Sequence, residues 1–330
     1  MPKIRILSSK DVEKALPMEI AIRVTKRAYS RLSSRKVEMP LRSRIYFPKQ
    51  YGTLLTMPAA IFDDGEIAVK IVSVFENNLK SGLPLIHAVV MVLDAENGKI
   101  ISLMDGEVLT AVRTGAGTGV ATDFLAPTDA KIVAIIGSGK QARSQLEAVC
   151  TVRKIEQVRV YSRTLLNSQK FAKEMSGFGK IPENIKICRS SSKAIKDADI
   201  ICTATNSSKP VISFDNVKKG AHINAVGSFQ PTMQEIDSKT IINALIVVDS
   251  MESALMETGD IIIPIKKGLI KKSDIYAEIG EIINGEKKGR TASNQLTFFK
   301  SCGVAVQDAV TATAALKNAI KNKLGKIAFL

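Results

Sequence analysis

The sequence predicts an α/β fold in two domains: a doubly wound parallel sheet, and a mixed α+β domain formed from the two ends of the chain. Three observations predict it. The 330 residues exceed the usual size of one domain and leave ample length for a buried core. Near residue 124 the apolar pattern changes, from long strands broken by turn residues to short, wholly apolar runs. Each of those later runs is followed by a helical pattern, which is how a parallel sheet covered on both faces is built. The expected domains are residues 1–123, completed by 304–330, and residues 124–303.

From the N-terminus, "IRIL" reads as a short strand that leads through Ser8 and Ser9 into a helix. A second helix opens at Pro17, with Ile20, Val24, Arg27 and Ala28 at helical spacing. From Leu41 to about Met104 the pattern is strand-like: "RSRIYF", "GTLLTMPAAIF", "EIAVKIVSVF", "LIHAVVMVLD" and "KIISLMD", separated by Gly, Asp, Asn and Pro turns. These predict an antiparallel sheet. "GEVLTAVRTGAGTGVATDFLA" then reads as a long helix whose small residues allow close packing.

Beyond Pro127, six apolar strands ("KIVAII", "QVRVY", "IKIC", "DIICTAT", "AHINAV" and "LIVVD") alternate with five helices. Those are "KQARSQLEAVCTV", "NSQKFAKEM", "SSKAIKDA", "PTMQEIDSKTII" and "SMESALMETG". A last amphipathic helix, "VAVQDAVTATAALKNAIKNKLG", is expected to return to the first domain.

Hydrophobic residues make up 45% and charged residues 24%, a globular balance. No apolar stretch reaches the roughly 18 residues of a membrane span, and "MPKIRILSSKDVEKAL" lacks the apolar core of a secretory signal, so the expectation is a cytoplasmic protein with no membrane partner. Cys150, Cys188, Cys202 and Cys302 are scattered singly, without zinc-site pairing or disulfide density, and are expected to be reduced and inert. No cluster of His, Cys or carboxylates has metal-ligand spacing, so no metal is expected. The net charge of +15 raises a nucleic-acid partner. Its lysines, however, lie in dispersed doublets, Trp is absent, and no aromatic–basic interleaving occurs. A solvated basic surface that draws small anions is expected instead.

The segment "KIVAIIGSGKQARSQLEAV" carries the strongest signal. Its G-x-G-x-x-A run follows a predicted strand and opens a predicted helix, the arrangement of a Rossmann-type dinucleotide site. Gly137 makes the tight turn, Gly139 lets backbone approach a pyrophosphate, and Ala142 lets the helix pack on the strand. The helix start offers its free N–H groups to the anion. Ser138, Lys140 and Gln141 complete the candidate phosphate loop. The next strand ends "VYSRT", placing Ser162 and Arg163 where an NAD-specific site carries an acid, with Thr164 beside them as a further cofactor-binding candidate. A guanidinium there suits a 2′-phosphate and favours NADP(H). The alternative, a solvated Arg163 stacked on adenine, fits either dinucleotide, so NAD(H) stays a candidate.

"MDGEVLTAVRTGAGTGVAT", "IGSGKQA", "YSRT", "VGSFQPTMQEID" and "FKSCGVAVQDAVTA" occur in this order, and with them the chain resembles the ornithine cyclodeaminase/mu-crystallin family over nearly its whole length. The resemblance implies a homodimer, a Rossmann domain, and a substrate domain acting on an amino or imino acid. It places Arg44, Lys70 and Arg113 as basic residues that clamp the substrate carboxylate, with Lys70 able to serve the reacting nitrogen. An arginine holds a planar carboxylate through two parallel bonds. Lys70 also stands out without the resemblance, because an unpaired ammonium inside the apolar strand "EIAVKIVSVF" would be costly.

Met57, Phe229, Ser301 and Gly303 complete the implied substrate site, and Thr203, Thr205, Val226, Gly227 and Ser301 line the dinucleotide. Cyclodeaminase and archaeal alanine dehydrogenase members carry an acid where this chain has Phe229, and a phenyl ring cannot transfer a proton. The expected activity is therefore NAD(P)H-dependent reduction of a small cyclic α-imino acid, pyrroline-2-carboxylate to L-proline or the analogous piperideine-2-carboxylate. L-alanine dehydrogenase, ornithine cyclodeaminase and a non-enzymatic NADP(H)-binding protein are the alternatives. His87 and His222 read as structural.

Overall fold

The computed structural model describes residues 3–329. The chain begins with β1 (Lys3–Leu7), α1 (Ser9–Ala15) and α2 (Met18–Ser33), followed by β2 (Ser43–Phe47), β3 (Gly52–Ile61), β4 (Glu66–Phe75), β5 (Ile86–Leu93), β6 (Ile100–Asp105) and α3 (Gly106–Leu125). Next come β7 (Ile132–Ile136), α4 (Lys140–Val152), β8 (Gln157–Tyr161), α5 (Leu165–Met175), β9 (Ile185–Ile187), α6 (Ser191–Ile195), β10 (Ile200–Thr203) and β11 (His222–Ala225). They are followed by α7 (Ser238–Ile242), β12 (Leu245–Val248), α8 (Met251–Glu257), α9 (Gly259–Lys266), β13 (Ile275–Glu278), α10 (Ile279–Ile283) and β14 (Thr297–Lys300). The chain ends with α11 (Ala305–Lys321) and β15 (Lys326–Phe329). No helix among the described residues is long and apolar enough to cross a membrane.

Two compact units result, residues 1–113 with 304–330, and residues 114–303. The division falls inside α3 and not at its end, where the change of apolar period placed it. The second half of α3 packs within the second unit. A Cβ on Gly115 would lie 2.7 Å from the Ser144 carbonyl carbon, so only glycine lets α3 and α4 approach there. Thr118 bonds to Gln145, and Asn224 Nδ2 donates to Thr122 Oγ1 at 3.1 Å.

In the first unit the sheet order is β15-β1-β6-β5-β4-β3-β2. Strands β2 to β6 are antiparallel, as their turn-separated pattern predicts, whereas β1 joins β6 in parallel. The alternation of β4 turns Glu66, Ala68, Lys70 and Val72 to the buried face. Helix α11 packs over β3, β4 and β5, and its residues 305–313 are all buried. Ser8 starts α1 through a capping box, accepting from Asp11 N while the Asp11 carboxylate accepts from Ser8 N at 2.9 Å.

The second unit is an all-parallel sheet, β13-β12-β14-β11-β10-β7-β8-β9. Val133 and Ile135 of β7 enter one apolar cluster with α4 and α5, and Ala134 and Ile136 enter another with α6 and α7. Burial on both faces is why these strands are apolar throughout. Strand order reverses between β7 and β10, so their following loops lie side by side at the carboxyl edge.

Several elements depart from the sequence expectation. The helix expected over 231–242 forms only at Ser238–Ile242, where Asp237 accepts from Thr240 N at 3.0 Å. The preceding Glu235 and Ile236 N–H groups donate instead to Asp260 Oδ1, at 2.7 and 3.0 Å, which removes them from any helical ladder. Strands β13, β14 and β15 and helices α9 and α10 were not expected. In each of these strands polar residues leave too short an apolar run to mark it, and α9 contains Pro264, which reads as a breaker in sequence. All four cysteines are free thiols, and burial pushes those of Cys150 and Cys202 up to about 12.

His222 is fully buried, bonding through Nδ1 with Thr297 Oγ1 at 2.9 Å and through Nε2 with the Asn224 side chain at 3.1 Å. Burial first, and then the Arg290 charge, lower its pKa from 6.5 to about 3. The unfolded chain therefore binds a proton that the folded chain refuses between these values. The stability held by the neutral ring is complete above about pH 6.5 and is lost as pH falls, at about 1.4 kcal/mol per pH unit. Urea unfolding of His222→Gln between pH 4.5 and 7 should show a slope shallower by that amount. An unchanged slope would mean that other groups cause the acid loss.

Candidate active site

The turn after β7 is held in a conformation that only glycine adopts comfortably. Gly137 has φ of +117°, and a Cβ there would collide with the Ala204 carbonyl in the loop after β10. Gly139 is the N-cap of α4, has no side-chain cap, and faces open space. Arg143, one turn into α4, bonds to the Ser138 carbonyl, donates to Gly139 O at 3.1 Å, and is held by Glu174 through a 2.9 Å bond from Nε. Loop carbonyls are thereby taken by the protein, and the N–H groups at the start of α4, including those of Lys140 and Gln141, fit a diphosphate. Ala142 is buried against the sheet, as its place in the motif requires. Ser138 Oγ donates to Ser162 Oγ at 2.9 Å, tying the loop to the end of β8, where Arg163 and Thr164 are exposed. Arg143 was not singled out from sequence, because an arginine in a helix normally reads as surface charge.

Two buried carboxylates organise the rest of the carboxyl edge. Glu235 Oε1 accepts from Thr205 N and Thr205 Oγ1, both at 2.7 Å. Its Oε2 accepts from Thr203 Oγ1 at 2.9 Å and Gly227 N at 2.7 Å. Asp249 Oδ2 accepts from Ser301 Oγ at 2.9 Å, Cys302 N at 2.8 Å and Gly303 N at 2.7 Å. The hydroxyl hydrogens of Thr203 and Ser301, expected to face ligand, are thus committed to the protein. What these residues offer a ligand is the shape of the loops they hold. Val226 N bonds to Thr203 O at 3.0 Å in the same layer, and Phe229 is exposed beyond it.

Burial raises both carboxyl pKa values, for Glu235 with the added repulsion of Asp260, while the donor bonds and the Lys300 charge oppose the rise. Lys300, wholly buried at the end of β14, lies 3.3 Å from Asp260 Oδ2. None of Glu235, Asp249, Asp260 and Lys300 was a sequence candidate. Asp249 and Lys300 end short apolar runs, Glu235 and Asp260 follow polar and turn residues, and nothing local distinguishes any of them from a solvated turn.

In the first unit, one carboxylate gathers two predicted cations. Lys70 Nζ lies 2.7 Å from Asp308 Oδ2, and Arg113 Nε lies 3.1 Å from Asp308 Oδ1. All three side chains are buried. Arg113 Nη1 also donates to Gln307 Oε1 at 3.1 Å, and Gln307 Nε2 donates back to Arg113 O at 3.0 Å. Nη1 carries two hydrogens, so with Nε on Asp308 and one Nη1 hydrogen on Gln307, the second Nη1 hydrogen and Nη2 are left as a fork for a carboxylate. Burial, then the Arg113 charge, lowers the Lys70 pKa from 10.5 to about 7 against the opposing pull of Asp308.

Met57 lies directly opposite Lys70 on β3 and is buried. Arg44 is not brought into this cluster: it is exposed on edge strand β2, opposite Leu55, and the half-buried Arg42 is the residue whose charge reaches Lys70. Asp308 was missed, although a lone acid inside a run of Val, Ala and Thr is the same signal that marked Lys70.

Comparison with known proteins bears on what these parts serve. The chain is 40% identical to a Delta(1)-pyrroline-2-carboxylate reductase of Bacillus cereus, over 97% of this chain and 98% of that one. It is 42% identical to the Thermococcus litoralis Delta(1)-pyrroline-2-carboxylate reductase whose structure holds NADH and L-proline. That match has a TM-score of 0.94 and covers 98% of this chain and 99% of the other. An archaeal alanine dehydrogenase dimer with bound NAD matches at 32% identity and a TM-score of 0.93 over 100% of both chains. The model of the ornithine cyclodeaminase/mu-crystallin family matches residues 3–323. The chain belongs to the ornithine cyclodeaminase/mu-crystallin family.

Proposed function

We propose that this protein is an oxidoreductase that reduces Delta(1)-pyrroline-2-carboxylate to L-proline. The observation that carries the proposal is the buried pair of cations, Lys70 and Arg113, on the single carboxylate of Asp308. Two buried cations facing one anion leave one positive charge in excess, which a substrate carboxylate neutralises. The similarity to reductases of this imino acid supports the same substrate.

A nicotinamide dinucleotide, when bound, would supply hydride chemistry, two electrons and one hydrogen for the imine carbon. Gly137 to Ala142 hold its diphosphate, and Ser162, Arg163 and Thr164 bind its adenosine end, with Arg163 favouring NADP(H). The loops pinned by Glu235 and Asp249 shape the remainder of the dinucleotide site. Arg113 holds the substrate carboxylate through its free fork. Lys70 carries the proton that the imine nitrogen gains, and regains it from solvent after product leaves. Phe229 stands where a deaminating relative needs an acid, so ornithine should release no ammonia.

The protein acts as a homodimer in the cytoplasm. The dimeric archaeal relative and the exposed Ile45, Tyr46 and Tyr51 at the β2 edge support the first statement, and four free cysteines support the second.

The direct test follows NAD(P)H oxidation with pyrroline-2-carboxylate, piperideine-2-carboxylate, and pyruvate plus ammonia, alongside ammonia release from ornithine. A rate with pyruvate and ammonia above that with both cyclic imines would replace the proposal with alanine dehydrogenase. Reduction should be fastest while Lys70 is protonated and should decline as pH rises through about 7. A kcat/KM that climbs steadily from pH 6 to 9 would take Lys70 out of the proton donor's role.

Arg113→Lys keeps the charge but loses the planar fork. Imine kcat/KM should fall about 10- to 100-fold while dinucleotide affinity, read by fluorescence titration, stays the same. Arg163→Ala should weaken NADPH by about 1.5–3 kcal/mol and leave NADH nearly unchanged. Equal losses for both cofactors would show that Arg163 does not read the 2′-phosphate.

A further inference from the structure

Resting on the reductase reading above, we propose that Asp308 is the positioning residue of imine reduction: it fixes the Arg113 fork for the substrate carboxylate and keeps Lys70 in its ammonium form.

The geometry divides these two tasks between the two carboxylate oxygens. Oδ1 accepts from Arg113 Nε at 3.1 Å and Oδ2 accepts from Lys70 Nζ at 2.7 Å. With the neighbouring Gln307 on Nη1, the guanidinium is held at two of its three nitrogens, and its plane cannot turn without breaking both bonds. Gln307 is itself fixed, since its Oε1 also accepts from Val304 N at 3.1 Å and its Nε2 donates to Arg113 O. The fork is therefore set before any carboxylate arrives, which lowers the ordering cost of binding.

The second task follows from what faces Lys70. On the neighbouring strands its register partners are Met57 of β3 and Val90 of β5, neither of which is charged. From α3 comes Arg113, from the segment before β2 comes Arg42, and from α11 comes Asp308. Among these groups Asp308 is the one anion. Burial and both arginines drive the proton off Lys70, and the Asp308 charge and hydrogen bond oppose them. Replacing the carboxylate by an amide removes that opposition and leaves the site able to bind substrate, because the amide oxygen still accepts from Arg113 Nε and holds the fork.

The experiment is a pH series on Asp308→Asn in the full-length protein. The alkaline decline of kcat should move from about pH 7 to at least about one unit lower. At pH 8 kcat should fall about tenfold or more, while at pH 5.5 it should fall much less and the imine KM should change only a few-fold. A loss of the same size at every pH, or an unmoved decline, would overturn the proposal.

A measurement on the unaltered protein covers the case in which the variant does not fold. The carboxyl carbon resonance of Asp308, followed by 13C NMR without substrate or cofactor, should inflect near pH 7 as Lys70 loses its proton. A flat titration between pH 6 and 8.5 would overturn the proposal. This readout needs no catalysis, so a protein that reduces no imine yet shows the inflection would refute the reductase reading and leave the Lys70–Asp308 coupling standing.

Discussion

An ion taken out of water costs several kcal/mol unless another group replaces its hydration, and both units of this protein are organised around that constraint. In the first, Lys70 and Arg113 are buried because Asp308 is buried with them. In the second, Glu235 and Asp249 are buried because eight N–H and O–H donors from the carboxyl edge converge on them. Each carboxylate acts as a template: the loop that supplies its donors has little freedom to be anywhere else.

The two templates serve different chemistry. Four hydrogen bonds saturate the Glu235 carboxylate and, with the Lys300 charge, oppose the burial that raises its pKa, and its product is loop shape. Asp308 is shared between two cations, so the cluster keeps a positive excess and a lysine whose proton is loosely held. A saturated anion is suited to positioning backbone, and an undersaturated cluster is suited to receiving a ligand anion and moving a proton. The same distinction separates Arg143, whose donors are spent on loop carbonyls and Glu174, from Arg113, which keeps one end of its guanidinium.

What could be read from sequence was what local physics decides. Gly137 announces a turn because a residue with a Cβ is strained at φ of +117°, and Gly139, which has no side chain, leaves the space in front of the helix N-terminus open. The apolar strands announce a parallel sheet because both of their faces are covered. Lys70 announces itself because a charge breaks a buried strand's pattern. Short strands such as β13 and β14 were lost, since polar residues break their apolar runs: Tyr276 and Glu278 alternate with apolar residues in one, and Thr297 and Lys300 leave only two phenylalanines in the other.

By itself, then, the sequence determined the α/β class, the glycine turn between β7 and α4 and two of the three charged residues in the first unit's cluster. Only the tertiary structure decided that Asp308 joins Lys70 to Arg113 across separations of 238 and 195 residues, and that Arg44 stays outside their cluster. It also decided that Glu235 and Asp249, with no local signature, hold the loops of the carboxyl edge. The reason is one of range. Backbone conformation and amphipathic period are set by neighbours within a few residues, whereas the partner of a buried charge is set by which distant segments the packed sheet and helices bring together.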